Sequence, residues 1–461
     1  MAHPLTSLRA AMGLSQPEYA RVVARTHDQL GFGRMAARRE KISRWESGRI
    51  VPEFTAQLAI AHLHGVPLRD VRRLGWPWWT HLATQDTALL EQPFTSQAAV
   101  TVLTSTTLPA DPTPAPVQVP LVRGAALRGQ LDSALERLSR PLSGRTADDL
   151  GGLSGQVVGI ERRTRVLETH NAVTLPASIL YAAAHAEHRL IVALLTRAGH
   201  HGPAVPRLFS LAARTALLCG RFSQAVGEPA RAERHGLAAL RAATAAGNRE
   251  LAARAMAQLA RYQVLAGGAD DALTLIHAAR KADPSSSVAT RVALHRFASS
   301  ALAILGDARA AEAAFDRAEQ HVTDAPDDES LGLCIRCCLS ATRGAMLWHL
   351  DQPRRAAEYF RPLTDALVLT YDTAHQPFTA LWPQYAVDIH LALRELDIAA
   401  ALVHHTIDLT GALPPGLARD YRDKLSSHCH EPAIRSTLDR LNDTVSSNPT
   451  EGPHSNDSTS R

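Results

Sequence analysis

The chain has 461 residues, which is enough for two or more domains with their own hydrophobic cores. Alanine and leucine dominate, whereas aromatic residues make up only 5% and β-branched residues are few, so the composition favours an all-α fold. No apolar run approaches the roughly 18 residues of a membrane span, and the N-terminus lacks the pattern of a signal peptide. Five cysteines, an odd number in a long chain, argue against a disulfide framework, and we expect a cytoplasmic protein.

The net charge of +4 conceals an uneven distribution along the chain. Residues 1–85 contain 12 basic and 6 acidic residues, a net charge of +6, and the remainder contains 37 basic and 39 acidic residues, a net charge of −2. A small basic segment attached to a nearly neutral body predicts that nucleic acid is bound at the N-terminus and not along the whole protein.

The sequence divides into four parts. Residues 1–83 form a compact helical block, and residues 84–120 are predicted to be a Pro/Thr-rich linker, because the segment 104–120 contains five prolines. Residues 121–442 consist of one amphipathic helix after another. Residues 443–461 have almost nothing to bury and are predicted to be a disordered tail.

The long helical region contains a loose repeat. Four segments share a turn-forming residue, an Ala-rich helix start and a bulky residue about four positions later, and their marker residues are Ala272, Ala311, Ala356 and Ala400. These alanines are 39 to 45 residues apart. The pattern resembles tetratricopeptide repeats with long helices, although the standard period is shorter. The resemblance implies an α-solenoid of stacked helix pairs in which small alanines allow close approach.

Three motifs succeed one another in the N-terminal block. "LRAAMGLSQPEYARVV", which begins at Leu8, predicts two short helices joined at Gly13, with Ser15 as the N-cap of the second helix. "REKISRWESGR" predicts a third helix in which Ile42 and Trp45 face the core and which ends at Gly48. "LAIAHLHGVPLRDV" predicts a closing helix that stops at a glycine.

Together, residues 5–71 resemble the helix-turn-helix domain of the lambda-repressor and XRE type. The resemblance implies that the helix at about 38–47 lies in the major groove of double-stranded DNA, with a homodimer reading two half-sites. The family's base-reading positions correspond to Arg39, Glu40, Ser43 and Arg44. Its phosphate-contacting positions correspond to Gln16 and Arg49. Arg9 and Glu46 correspond to a pair that forms an internal salt bridge in some members.

The sequence departs from that family at residues 26–37, where about a dozen extra residues separate the second and third helices. Gly31 and Gly33 suggest a loop, and Arg34, Arg38 and Arg39 make its far side basic. The insertion is either an additional contact to the DNA backbone or a solvated loop without a binding role.

Other residue clusters are weaker signals of function. The tryptophan-rich segment 74–86 could hold a ligand, but we expect it to join the DNA-binding domain to the rest of the chain. Cys334, Cys337 and Cys338 have the i, i+3, i+4 spacing of a buried helix face, so we predict core packing and no metal site. The histidines are scattered and no Gly-rich phosphate loop comes after a strand, so we predict neither a catalytic site nor a cofactor.

The combined prediction is a DNA-binding transcriptional regulator that is not an enzyme. Its helical repeats would mediate dimerisation and bind a peptide, a protein or a small effector. The arrangement resembles large helix-turn-helix–tetratricopeptide regulators of filamentous high-GC bacteria, which implies roles in development and secondary metabolism. The alternative is a protein-interaction scaffold with a vestigial helix-turn-helix domain.

Overall fold

The computed structural model describes residues 4–47, 49–66, 68, 71–72, 76, 79–80, 92–107, 122, 124–140, 154–169, 177–198, 204–225, 228–325, 332–366, 381–410, 413 and 415–446. All regular secondary structure in these ranges is α-helical, and the helices pack in a solenoid-like arrangement. The predicted all-α fold is confirmed for this part of the chain.

A small N-terminal unit has its own hydrophobic core. Its helices are α1 (Pro4–Ala11), α2 (Gln16–Gln29), α3 (Arg39–Glu46) and α4 (Phe54–Leu63). Tyr19, Ile42 and Trp45 are buried at its centre, together with Trp79 from the segment after α4. Each core residue of this cluster lies between residues 5 and 79, so the unit encloses its apolar side chains without help from the repeats.

The remaining described helices form the long array. They are α5 (Ser96–Ser105), α6 (Gly124–Ser139), α7 (Ser154–Thr169), α8 (Ala177–Ala198), α9 (Val205–Ala225), α10 (Pro229–Ala245), α11 (Arg249–Leu265), α12 (Ala269–Ala282), α13 (Val288–Ile304), α14 (Ala308–Asp324), α15 (Gly332–His349), α16 (Pro353–Ala366), α17 (Leu381–Ala392), α18 (Leu396–Thr410), α19 (Pro415–Ser426) and α20 (Pro432–Ser446).

These helices are stacked as antiparallel pairs. Helices α7, α9, α11, α13, α15 and α17 pack against one another in succession and form one row. Helices α8, α10, α12, α14, α16 and α18 each pack against the preceding member of that row. Because each pair buries its apolar face against the next pair, the array contains two long hydrophobic clusters, one from Ala99 to Ala314 and one from Val292 to Leu441.

The marker alanines lie where the repeat pattern requires small side chains. Ala272, Ala311 and Ala356 are fully buried on α12, α14 and α16, and Ala400 on α18 is 3% exposed. Each lies on the second helix of its pair. The sequence period therefore corresponds to the structural period of one helix pair.

Two boundaries predicted from the sequence are wrong. The segment 96–105, predicted as linker, forms α5, because Ala99, Val102 and Leu103 present one apolar face that packs against α8 and α10. The Thr95 hydroxyl caps this helix by accepting a hydrogen bond from the Ala98 backbone N–H at 3.2 Å. At the other end of the chain, α20 continues to Ser446 and so enters the predicted tail. The proline-rich segment 108–121 and residues 447–461 lie outside the described residues.

Candidate nucleic-acid interface

Helix α3 has two chemically opposite faces. Ile42 and Trp45 are 1% and 5% exposed and anchor the helix in the N-terminal core. The other side consists of exposed polar residues, namely Arg39, Glu40, Ser43 and Arg44. At about 100° per residue, these four positions span an arc of roughly 140° on one side of the helix. The arc presents two guanidinium groups, a carboxylate and a hydroxyl group to solvent.

A hydrogen-bonded network fixes α3 against α1 and α2. The Glu46 carboxylate accepts hydrogen bonds from Arg9 Nε and from Gln16 Nε2, both at 2.6 Å. Arg9 also donates to the Leu14 carbonyl oxygen at 2.7 Å, which ties it to the turn between α1 and α2. The Glu46 side chain is only 6% exposed, so the Arg9–Glu46 ion pair lies inside the unit. Glu46 therefore serves the structure of the unit and does not present a negative charge at the exposed face.

Gln16, predicted to contact a phosphate, is hydrogen-bonded within the unit in this structure. Its amide nitrogen is bonded to Glu46, and its Oε1 atom accepts a hydrogen bond from Arg39 Nε at 3.3 Å. Gln16 is half-buried, so in this structure it connects the buried ion pair to the exposed Arg39. The structure thus brings four of the predicted residues, Arg9, Gln16, Arg39 and Glu46, into one chain of contacts.

The start of α2 is closed by a capping box. The Glu18 carboxylate accepts hydrogen bonds from the Ser15 hydroxyl at 2.5 Å and from the Ser15 backbone N–H at 2.8 Å. These bonds hold the pKa of Glu18 below its usual value, with the hydroxyl contact as the main cause. The sequence prediction of Ser15 as the N-cap is confirmed.

Beyond α3, the chain turns sharply and exposes a further arginine. Ser47 caps the helix, and the backbone N–H groups of Arg49 and Ile50 both donate to the Arg44 carbonyl oxygen, at 3.1 and 3.3 Å. Arg49 is exposed beside Arg44. Gly48, which we expected to stop the helix, lies outside the described residues.

The insertion between α2 and α3 is only partly a loop. Its first four residues continue α2 to Gln29, and the loop indicated by Gly31 and Gly33 comes after them. His27 stabilises the loop that follows α2, because its Nδ1 atom lies 2.8 Å from the Gly33 carbonyl oxygen and its ring packs edge-on against Phe32. Met35 packs against the N-terminal core, whereas Arg34 and Arg38 are exposed.

An exposed apolar cluster next to Arg49 is not predicted by the sequence pattern. Ile50, Val51 and Phe54 are 44%, 61% and 44% exposed, respectively. In the sequence, these residues belong to the stretch "IVPEF". That stretch is equally consistent with the start of the next helix. Three exposed apolar side chains within five residues suit a protein–protein contact.

The tryptophan cluster contributes to the N-terminal core. Trp79 is fully buried there, donates to Gln57 Oε1 at 3.2 Å and packs edge-on against Trp76, whereas Trp78 lies outside the described residues.

The cysteine cluster lies on one helix of the array. Cys334, Cys337 and Cys338 belong to α15, but their side chains lie outside the described part. Among the described side chains, no three His, Cys, Asp or Glu residues are placed to hold a metal ion.

Comparisons with protein-family models, curated proteins and solved structures give no match for this chain. Within the described residues, no helix combines the length and apolar character needed to cross a bilayer.

Proposed function

We propose that the protein is a sequence-specific DNA-binding transcriptional regulator whose helical repeats mediate dimerisation and respond to an effector. The observation that carries the proposal is the two-sided α3. Its apolar side packs into the core of a small basic unit, and its outer side exposes Arg39, Ser43 and Arg44. Arginine donates two parallel hydrogen bonds to guanine in the major groove, and a rigid helix suits the width of that groove.

The surroundings of α3 support the same function. Arg49 extends the positive surface beyond the helix, and Arg34 and Arg38 extend it on the side of the insertion. Arginines placed around a recognition helix suit contacts to phosphates, which orient a protein on the duplex without reading its sequence. We also propose that the insertion at residues 26–37 contacts the DNA backbone.

In addition to the repeats, the N-terminal unit offers a dimer contact of its own. Ile50, Val51 and Phe54 form an exposed apolar cluster beside the proposed DNA-binding surface, and two copies meeting there would place two α3 helices on one duplex. For such dimers the half-sites lie about 34–36 Å apart, one helical turn of DNA. Sedimentation of the full chain, free and on a selected duplex, is expected to give a 2:1 complex. One protein copy per selected duplex would contradict the dimer.

The proposed function is tested by selection from a duplex pool with a randomised centre, followed by titration of the enriched sequence. We expect the enriched duplex to bind at least about a thousandfold more tightly than a scrambled duplex. Because Arg–phosphate contacts release counterions, affinity should fall steeply between about 50 and 200 mM salt. Failure to enrich any sequence, or equal binding of the scrambled duplex, would favour the interaction scaffold instead.

A further inference from the structure

A cavity of about 370 Å³ lies where the main helical row meets the C-terminal helices. Four helices of the row, α9, α11, α13 and α15, contribute residues from their last turns, and α17 and α19 form the opposite wall. A volume of this size is within the usual range for small-molecule sites and is too small for a folded partner. Its lining differs from an ordinary packing defect, because charged, aromatic and amide side chains meet in it.

Four helix C-termini lie at the cavity. Gln224, Leu265, Ile304 and His349 line the cavity, and each lies at or next to the C-terminal residue of its helix. The C-terminus of an α-helix has a partial negative charge, because its last carbonyl groups have no partner within the helix. The next helix begins within four residues of each end, at Pro229, Ala269, Ala308 and Pro353, so its positive N-terminal partial charge offsets much of this effect.

Two carboxylates provide the preference for a positively charged occupant. Lys424 Nζ lies 2.8 Å from Asp388 Oδ1 and 2.9 Å from Asp420 Oδ2, so one ammonium group is shared between two carboxylates. These three side chains carry a net charge of −1. Burial raises the pKa of Asp388, whereas the neighbouring Lys424 charge acts in the opposite direction. Arg261, whose charge acts on the neighbouring Tyr385, is a further cation near the cavity, so a cationic group would be held by direct contact with the carboxylates and not by the net charge of the lining.

An unpaired acceptor also lines the cavity. Gln224 is 8% exposed, and its Oε1 atom has no hydrogen-bond partner among the described residues. A buried acceptor without a partner is unfavourable unless a ligand or a water molecule donates to it. Because that oxygen is fully enclosed, a donor in the cavity would reach it only after the Gln224 side chain rotates.

The remaining wall is apolar and aromatic. Ile304, Leu265 and Trp348 supply apolar surface, and the rings of His349 and Tyr385 pack edge-on with centroids 5.6 Å apart. Burial lowers the pKa of His349 to about 4, so the imidazole is neutral at neutral pH and does not repel a cation. Burial and the Asp388 charge raise the pKa of Tyr385 to about 12, with Arg261 acting against them, so the phenol keeps its proton.

We propose that this cavity binds a small organic molecule in which a primary ammonium group is joined to an apolar, ring-bearing body. The ammonium group would lie near Asp388, Asp420 and Gln224, and the ring against Trp348 and Ile304. This inference deepens the proposed function, on which it rests, by assigning the chemical class of the effector. It also explains why Lys424, one of only three lysines in the chain, is held between two carboxylates that it does not fully neutralise.

Three probes of similar size test the charge preference on the full chain. They are phenethylammonium, the neutral 2-phenylethanol and the anionic phenylacetate, and binding is measured by calorimetry and by quenching of tryptophan fluorescence. For so small a probe, we expect phenethylammonium to bind with a dissociation constant on the order of millimolar. We expect the two other probes to bind at least about tenfold more weakly. Equal binding of the three probes, or no binding of phenethylammonium, overturns the proposal.

Substitutions then locate the probe. Asp420→Asn should weaken phenethylammonium binding about fivefold, because one of the two carboxylates is neutralised while Asp388 still pairs with Lys424. Gln224→Leu, which removes the unpaired acceptor, should also weaken it. Asp316→Asn, at an exposed position on α14, is the matched control and should leave binding unchanged. Circular dichroism checks folding; a correctly folded Asp420→Asn protein with wild-type binding would contradict the assignment.

A DNA-binding measurement distinguishes failure of this inference from failure of the proposed function. The selected duplex is titrated with and without saturating phenethylammonium, and an effector is expected to change DNA affinity at least about fivefold. If the protein binds the amine but no duplex, the cavity assignment stands and the proposed function is refuted. If the protein binds the duplex but none of the three probes, the proposed function stands and the cavity assignment is refuted.

Discussion

Arg9 and Glu46 are 37 positions apart in the chain, yet Arg9 Nε lies 2.6 Å from Glu46 Oε1. The ion pair joins the end of α1 to the end of α3 and is only 16% and 6% exposed at its two side chains. Through Gln16, the same carboxylate is linked to Arg39 on the outer face. The pair therefore sets the position of the surface that we propose to contact DNA.

Removing this carboxylate should release α3 from the N-terminal core. In Glu46→Ala, the Arg9 guanidinium stays mostly buried without its partner, so the free energy of opening α3 should fall by about 3 kcal/mol. Hydrogen exchange of α3 amides in the full chain measures that opening. Glu40→Ala, on the exposed side of the same helix, is the control and should change it by less than about 0.5 kcal/mol. Equal protection of α3 in the two variants would refute the structural role of Glu46.

Arg44→Ala tests base reading. If its guanidinium binds a guanine edge, the substitution should weaken binding to the selected duplex by about 1–3 kcal/mol and relax base preference at one position. Arg309→Ala on α14, also at an exposed arginine, should have no effect. The measurement is a titration of the selected duplex and of its single-position variants. Unchanged base preference in Arg44→Ala would exclude this residue from base reading.

Arg49→Ala should behave differently, because a phosphate contact has no sequence information. We expect binding to selected and scrambled duplexes to weaken by the same factor. The slope of the logarithm of affinity against the logarithm of salt concentration should become shallower by about one. A loss restricted to the selected duplex would reassign Arg49 to base reading.

The sequence predicts well those features that arise from local spacing. Ile42 and Trp45 are three positions apart in the sequence. This spacing places both side chains on one side of an α-helix, whatever the helix packs against. The four marker alanines predict the helix-pair period because each pair repeats the same close contact. In contrast, the pattern does not reveal α5, since its ten residues lie immediately before a proline-rich segment whose composition dominates that stretch.

The interface is less predictable from sequence than the fold. Residue types alone do not show that Gln16 is engaged with Glu46, because 30 positions separate them and only the packing of α2 on α3 brings them together. The cavity is not predictable at all. Gln224, Asp388 and Lys424 come from three helices of the array, and their meeting depends on the number and stagger of helix pairs between them.

The repeat array contains a buried histidine cluster that should make its stability depend on pH. His188 is fully buried, with Nδ1 at 3.0 Å from Thr215 Oγ1 and Nε2 at 2.9 Å from Thr106 Oγ1. Burial, assisted by His185, lowers the pKa of His188 to about 3. Burial also lowers the pKa of the adjacent His235, whose Nδ1 atom has no hydrogen-bond partner among the described residues.

Between pH 6.5 and pH 3 the unfolded chain protonates His188, whereas the folded chain does not. The unfolded state then binds more protons, so the free energy of unfolding should fall as pH decreases, by about 1.4 kcal/mol per pH unit for this residue. His188→Gln, which keeps a hydrogen-bonding group without that titration, should reduce the slope of thermal stability against pH. His277→Gln, at an exposed site on α12, is the control. The same slope in both variants would contradict the assignment.

Close approach of α15 and α16 depends on Gly344. A Cβ atom placed at this position would lie 2.5 Å from Phe360 Cε2 and 3.1 Å from Tyr359 Cβ, and Phe360 is fully buried. Gly344→Ala should therefore destabilise the array by about 1–3 kcal/mol, although alanine is the better helix former. Gly129→Ala on α6 is the matched control, because a Cβ there meets no atom within 4 Å.

For Gly129→Ala we expect a gain of roughly 0.5–1 kcal/mol from the lower conformational entropy of the unfolded chain. Thermal unfolding and hydrogen exchange of α15 and α16, compared between the two variants and the unmodified protein, should give opposite signs. Stabilisation by Gly344→Ala would show that the α15–α16 contact adjusts easily. In that case, small residues at the helix-pair contacts would not be required by packing, and the alanine period would need another explanation.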